Sequence, residues 1–133
     1  MIGGLSRGTT KAHVVRAVLE GIAQRVADVA ESLEQGVPAP TSLRADGGAS
    51  RNDFLMQAQA DLLGIPVERS MFTDGAALGA ARLAGVGIGL WPPETAASFT
   101  AERVFEPRVS ADERASLRSR WKKRLDLVVA DAG

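Results

Sequence analysis

The stretch Leu43-Arg44-Ala45-Asp46-Gly47-Gly48-Ala49-Ser50-Arg51-Asn52, continued by residues 53–91, decides the fold. Thr41 to Asp46 reads as a short strand, bounded by prolines before it and by Gly47-Gly48 after it. A helix is expected from about Ser50 to Leu63. Ser50 would be its cap, Asp53 would stand in the capping-box position, and Phe54, Leu55, Ala58 and Leu62 would face inward. Gly64 supplies the helix stop, and Pro66 delays the next strand to Val67–Ser70. A third helix, Ala76 to Ala84, follows a cap at Thr73 or Asp74, and Gly85, Gly87 and Gly89 break its pattern. Its small residues allow another element to approach closely. Gly79 in its middle costs roughly 1 kcal/mol against alanine, which asks for a packing or ligand-clearance reason. Strand, glycine turn, helix, strand, helix is an α/β pattern. Glycines at a strand's exit, before a polar helix start, let backbone approach a bound phosphate or sugar.

Upstream of this stretch, Val15, Val18, Leu19, Ile22, Val26, Val29 and Leu33 recur every three or four residues, which predicts an amphipathic helix from Lys11 to about Glu34. Thr9 or Thr10 can cap it, Gly36 ends it, and Pro38 and Pro40 forbid continuation. His13, the single histidine, is assigned a packing or capping role in its first turn. Downstream, residues 92–109 read as irregular chain, with Phe105-Glu106-Pro107 as an edge or anchor. Ser110 and Glu113 then form a capping box for a last helix from Ala111 to Val129, lined on one side by Leu117, Trp121, Leu125 and Val128. Arg114, Arg118, Arg120, Lys122, Lys123 and Arg124 make that helix basic, and they are read as a solvated face.

Composition narrows the function classes. A chain of 133 residues with 45% hydrophobic content suits one folded domain. Sixteen Lys and Arg balance sixteen Asp and Glu, so no global field recruits nucleic acid or a membrane surface. The absence of cysteine excludes disulfides and thiolate metal sites, and one histidine makes no transition-metal site. No long apolar run marks a signal peptide or membrane span, so a cytoplasmic protein is expected. The glycine turn lacks the Lys-Ser/Thr of a P-loop and the third glycine of a dinucleotide fingerprint. A Ser-His-Asp site would have only His13 as base, with no nucleophile motif beside it.

Several blocks carry a resemblance. They are Gly4-Leu5-Ser6-Arg7-Gly8-Thr9, the helix from His13 to Glu20, the run from Leu43 to Ala49 with Asn52, and Phe54-Leu55-Met56-Gln57. Leu63 to Arg69, Ala77-Leu78-Gly79-Ala80-Ala81, Leu83-Ala84-Gly85 and Trp91 complete the set. In this order they resemble the C-terminal lobe of the FGGY carbohydrate kinases, and most closely the members that phosphorylate glycerol. The resemblance implies part of an actin-like (ribonuclease H-like) ATPase domain over residues 1–133, with a core at 1–91, irregular chain at 92–109 and a terminal helix at 110–130. Family members are several times longer, so the chain is expected to be a piece of such a kinase, a split-gene product or a decayed reading frame.

The complete enzyme implied would transfer the γ-phosphate of ATP to a polyol hydroxyl with Mg²⁺. Glycerol is the expected acceptor, although xylulose and gluconate kinases share the Gly-Gly turn and the Ala-Leu-Gly-Ala-Ala block. By resemblance Gly48 lies against the nucleotide and Asn52 contacts it from the helix start, while Gly47 shapes the turn. Asp46 is left open between the site and a role in fixing the turn. The family's catalytic aspartate, polyol-binding residues and phosphate loops precede the matched part, so no catalytic or metal-binding residue is assigned. Asp28 and Asp61 read as ordinary polar-face residues and Asp53 as a cap. The resemblance implies ATP or ADP as ligand and a missing N-terminal lobe or a second copy as partner. A non-catalytic remnant or interaction module is the alternative. Two departures stand out: Ser70-Met71-Phe72 where a proline is expected, and Asp74-Gly75 in place of bulkier residues.

Overall fold

The computed structural model describes residues 3–33 and 38–131. Helix α1, Lys11–Leu33, leads to strand β1, Leu43–Ala45, a 3₁₀ turn at Gly48–Arg51 and helix α2, Asp53–Leu63. Strand β2, Val67–Ser70, and helix α3, Gly75–Gly87, follow. A second 3₁₀ turn at Pro93–Ala97, strand β3, Ala101–Phe105, and helix α4, Ala111–Asp131, complete the chain. The sheet has the order β1-β2-β3. β1 runs parallel to β2 with Leu43 opposite Val67, and β3 is antiparallel to β2 with Phe105 opposite Val67.

Strand β3 corrects the expectation of irregular chain at 92–109. Ala-Glu-Arg-Val-Phe carries two charges in five residues and shows little apolar alternation. What holds it is pairing along β2, Arg103 opposite Arg69 among the pairs, and the buried ring of Phe105. β2 matches its expected limits, while β1 is shorter than Thr41–Asp46.

The core is small. Ala23 and Ala27 of α1, Leu55, Met56, Ala60 and Leu62 of α2, Val67 of β2 and Phe105 of β3 are buried together. The buried face of α1 differs in part from the expected one: Ala23 and Ala27 are its buried apolar residues, and of the larger ones Leu19 packs against the core. Alanine carries little hydropathic weight but lets two helix backbones approach, whereas Val15, Val18, Ile22, Val29 and Leu33 stay exposed. In α2, Phe54 is likewise turned out and Met56 is turned in.

Caps explain the helix starts. His13 N–H donates to Thr10 Oγ1 at 3.4 Å while Thr10 N–H donates to His13 Nδ1 at 3.1 Å, a reciprocal cap that gives His13 its capping role. The stop expected at Gly36 lies outside the described residues. Ser110 Oγ accepts from Glu113 N–H at 3.2 Å at the start of α4, one of the two bonds its capping box predicts. Helix α3 runs through Gly85 to Gly87, past its expected end. The Trp91 ring lies over Gly85, where an added methyl would come 2.3 Å from a ring carbon.

Candidate functional site

The two glycines of the turn have different reasons to be glycine. Gly47 has φ 82° and ψ 174°, a region only glycine enters without strain. Gly48 has no positive φ, and a methyl group added there would meet nothing within 4 Å. Neither backbone nor neighbouring side chains therefore demand glycine at 48, and its missing side chain leaves open space beside the turn.

The turn is closed from within. Ser50, almost fully buried, sends its hydroxyl back to the Gly47 carbonyl at 2.7 Å, and Asn52 N–H donates to the Ala49 carbonyl at 3.2 Å. Ser50 is therefore not the cap of α2. That role falls to Asn52, whose Oδ1 accepts from Leu55 N–H at 3.0 Å. Two adjacent capping residue types compete here, and a 3₁₀ turn that consumes Gly48–Arg51 moves the helix start to the second. The cap occupies one lone pair of the Asn52 oxygen. Its NH₂ makes no bond to another described residue, so the exposed side chain offers two donors at the positive end of α2.

Asp53 does not complete a capping box. Its Oδ1 accepts from Arg69 Nη1 at 2.6 Å, and its other oxygen takes Arg103 Nη1. The Arg69 hydrogen bond, with Arg103 adding to it, holds the Asp53 carboxyl below its ordinary range. Arg69 Nε lies 3.1 Å from Glu102 Oε2 but is not aligned as a hydrogen bond, so that contact is charge attraction alone. Asp46 points away from the glycine turn. Its carboxylate lies against the first residue of α3, and a methyl at Gly75 would sit 1.7 Å from Asp46 Oδ2. This gives a reason for Gly75 in place of a bulkier residue. Asp46, Gly79, Arg44, Phe72, Arg82 and Phe99 share a polar cleft that no residue of the Gly47–Asn52 turn lines. No neighbour lies within 4 Å of a methyl at Gly79, so packing does not account for it.

Two other aspartates, Asp61 and Asp28, are engaged elsewhere. Asp61 Oδ1 accepts from Gln57 Nε2 at 3.0 Å and from Arg108 N–H at 2.7 Å, which ties α2 to the segment before α4. Asp28 accepts from Arg118 Nη2 at 2.6 Å and from the Trp121 indole at 3.0 Å. Both exceed the plain polar-face role expected of them. Arg118 is not part of a solvated basic face either: it is 7% exposed and also donates to Glu31 and Gln24. Burial opposes the Asp28 charge, but the Trp121 and Arg118 bonds outweigh it and its carboxyl falls below the ordinary range. The Arg118 and Lys122 hydrogen bonds lower Glu31 in the same sense.

Among the described residues no group of three or more His, Cys, Asp or Glu is placed to hold a metal ion, and no helix is long and apolar enough to cross a membrane.

Comparison with known proteins shows what the chain is similar to. Residues 1–88 match the model of the FGGY family of carbohydrate kinases, C-terminal domain. The glycerol kinase of Dechloromonas aromatica is 48% identical over 126 residues, which are 92% of this chain and 25% of that protein. Among solved structures, Plasmodium falciparum glycerol kinase with ADP superposes with a TM-score of 0.81 at 30% identity, over 95% of this chain and 26% of that one. A ligand-bound xylulose kinase from Lactobacillus acidophilus gives 0.78 at 27% identity, over 98% of this chain and 26% of that one. The chain thus spans about a quarter of the length of the relatives it matches.

Proposed function

Because the chain belongs to the FGGY family of carbohydrate kinases, we propose that it is the ATP-binding part of a glycerol kinase-like enzyme. The observation that carries this is the turn at Gly47–Asn52. Gly48 has no internal reason to lack a side chain, and it stands beside an asparagine with free amide donors at a helix start. Gly47 sets the backbone, Gly48 gives clearance for the nucleotide, and Asn52 donates to it. Glycerol is favoured as acceptor because the glycerol kinases of Dechloromonas aromatica and Thermotoga maritima are each 48% identical to this chain.

Mg²⁺ would arrive on the nucleotide's phosphates and neutralise their charge, a mode that needs no all-protein cage. Asp28, Asp53 and Asp61 are each bonded to arginine or amide donors, so none is free to orient an acceptor hydroxyl. The chain by itself therefore binds nucleotide weakly and transfers no phosphate. Residues 1–133 act as one C-terminal domain of a cytoplasmic kinase, completed by a further lobe.

Surface supports that reading. A folded monomer of 14.0 kDa exposes about 6,700 Å². This chain exposes 9159 Å², and Val18, Ile22, Val29, Leu33 and Leu83 are among its exposed large apolar residues. Among the described residues the outer edge of β1 is unpaired, and beside it Val18, Ile22, Val29, Leu43, Leu63 and Ile65 line an open apolar groove. Unpaired strand edges and large apolar patches mark surfaces that another segment covers. The same groove also suits the second reading, a non-catalytic interaction module.

Thermal unfolding of the chain with and without Mg-ATP tests the proposal, because a ligand bound only to the folded state raises the midpoint once it exceeds Kd. The midpoint should rise in millimolar Mg-ATP and lose that rise in Asn52→Asp, which keeps the capping oxygen and removes both donors. A midpoint indifferent to nucleotide would leave only the interaction module.

A further inference from the structure

We propose that Arg69 is the positioning residue of the Gly47–Asn52 turn, anchoring it to the sheet without touching ligand. The proposal rests on the nucleotide reading of that turn only for its affinity arm.

Arg69 stands on the central strand and is 7% exposed. A charged side chain at such a position loses hydration, and an apolar residue would fill it at lower cost. It also faces Arg103 directly across the strands, a like-charge pair that is destabilising by itself. The arrangement is accounted for by what the guanidinium holds. Nη1 donates to the Ser50 carbonyl at 3.3 Å and to Asp53 Oδ1 at 2.6 Å, two acceptors that flank Asn52 in the chain. Asp53 spans both arginines, one with each oxygen, which offsets their repulsion. Phe105 lies under both guanidinium groups, at 5.3 Å from Arg69 and 4.6 Å from Arg103. Glu102 adds a second link, 3.1 Å from Arg69 Nε and 3.9 Å from Arg51 Nη1.

The bonds inside the turn, from Ser50 and Asn52 back to Gly47 and Ala49, curve it without attaching it to anything. Among the described residues, Arg69 makes the hydrogen bond that ties the turn's own backbone to the sheet. Without it the direction of Gly48 and Asn52 relative to β1 and β2 is left to the short Asp46-Gly47 link, the packing of Ser50 and of α2 against the core, and ion pairs at the flanks.

The test compares the wild-type chain with Arg69→Met, Arg69→Lys and Asp53→Asn. Two readouts are taken: amide exchange without ligand, and the affinity for Mg-ADP and Mg-ATP. In Arg69→Met the Leu55 amide, which donates to the Asn52 cap, should lose protection selectively, while Gly64 N–H at the far end of α2 keeps its own. Affinity should fall about tenfold, within the range that small misplacements of binding groups produce. Arg69→Lys keeps the charge but cannot serve both acceptors, so it should restore part of each readout. Selective loss with partial rescue supports the proposal. Equal affinity and unchanged Leu55 protection in Arg69→Met would overturn it and leave the nucleotide reading standing. Should the wild-type chain bind neither nucleotide, that reading falls and exchange alone decides. Selective loss at Leu55 still supports Arg69, and uniform or absent loss overturns it. If Arg69→Met does not fold, Asp53→Asn, altered at an exposed carboxylate, is judged by the same criteria.

Discussion

Two neighbouring glycines behave differently once their surroundings are known, and that difference can be measured at single positions. Gly47→Ala forces a side chain into a backbone region that costs about 1–3 kcal/mol. Gly48→Ala meets no neighbour and no forbidden φ, so it should be neutral or up to about 1 kcal/mol stabilising through the unfolded chain. Denaturant unfolding distinguishes the two, and the account expects the stable Gly48→Ala variant to be the one that loses nucleotide binding. Asn52 caps α2, and the proposed function also gives it a donor role. Asn52→Ala should cost about 1 kcal/mol of stability before any ligand is added, whereas Asn52→Asp should not. A loss of stability in Asn52→Asp equal to that in Asn52→Ala would contradict the capping geometry.

Between elements, polar anchoring decides where the last helix lies. Arg118 gathers Asp28, Glu31 and Gln24 of α1 onto α4, together with the Trp121 indole. Removing it in Arg118→Met leaves Asp28 and Glu31 without their shared cation. The expected cost in an unfolding titration is about 2–3 kcal/mol, below that of a fully buried pair because the Glu31 side chain is 44% exposed. Acid has a related effect. Asp28, Glu31 and Asp53 all have carboxyls lowered in the folded chain, from ordinary values of 3.8, 4.5 and 3.8. The unfolded chain therefore takes up these protons first as pH falls. Stability from these groups is complete above about pH 4.5 and is lost progressively below it, through the lowered folded values. Stability that dropped between pH 8 and 6 would point to other groups.

These elements also show what the sequence discloses. The limits of β2, the Ser110 cap and the left-handed stop at Gly64 are local chemistry, and each is legible in a few adjacent residues. Strand β3 is not, since it is fixed by register with β2 and by bonds from Arg103 to Asp53 fifty residues away. The buried face of α1 is misjudged for a related reason: Ala23 and Ala27 are inside because of how closely α2 approaches. At the site, Gly47, Gly48 and Asn52 are contiguous and readable by pattern. Arg69 is hidden, because nothing in Val-Glu-Arg-Ser indicates that its third residue reaches back to Ser50.

At the scale of the molecule, the surface is divided between a small core and a wide apolar exterior. Ile22→Lys in the open groove should change stability by no more than about 0.5 kcal/mol, as for other exposed positions. Ala27→Leu on the opposite, buried flank of α1 should cost about 1–3 kcal/mol by overpacking. Equal costs in thermal unfolding would mean that the groove is already filled in the isolated chain. The Gly47–Asn52 turn leaves Gly48 and Asn52 exposed at the surface of this body.

Titration of the isotope-labelled chain with Mg-ATP, followed by amide chemical shifts, tests the central claim most directly. The account predicts shifts concentrated at Gly48, Ala49 and the Asn52 side-chain NH₂, with Gly79 and Phe72 of the polar cleft unmoved. Shifts centred on that cleft, or none at millimolar nucleotide, would contradict it.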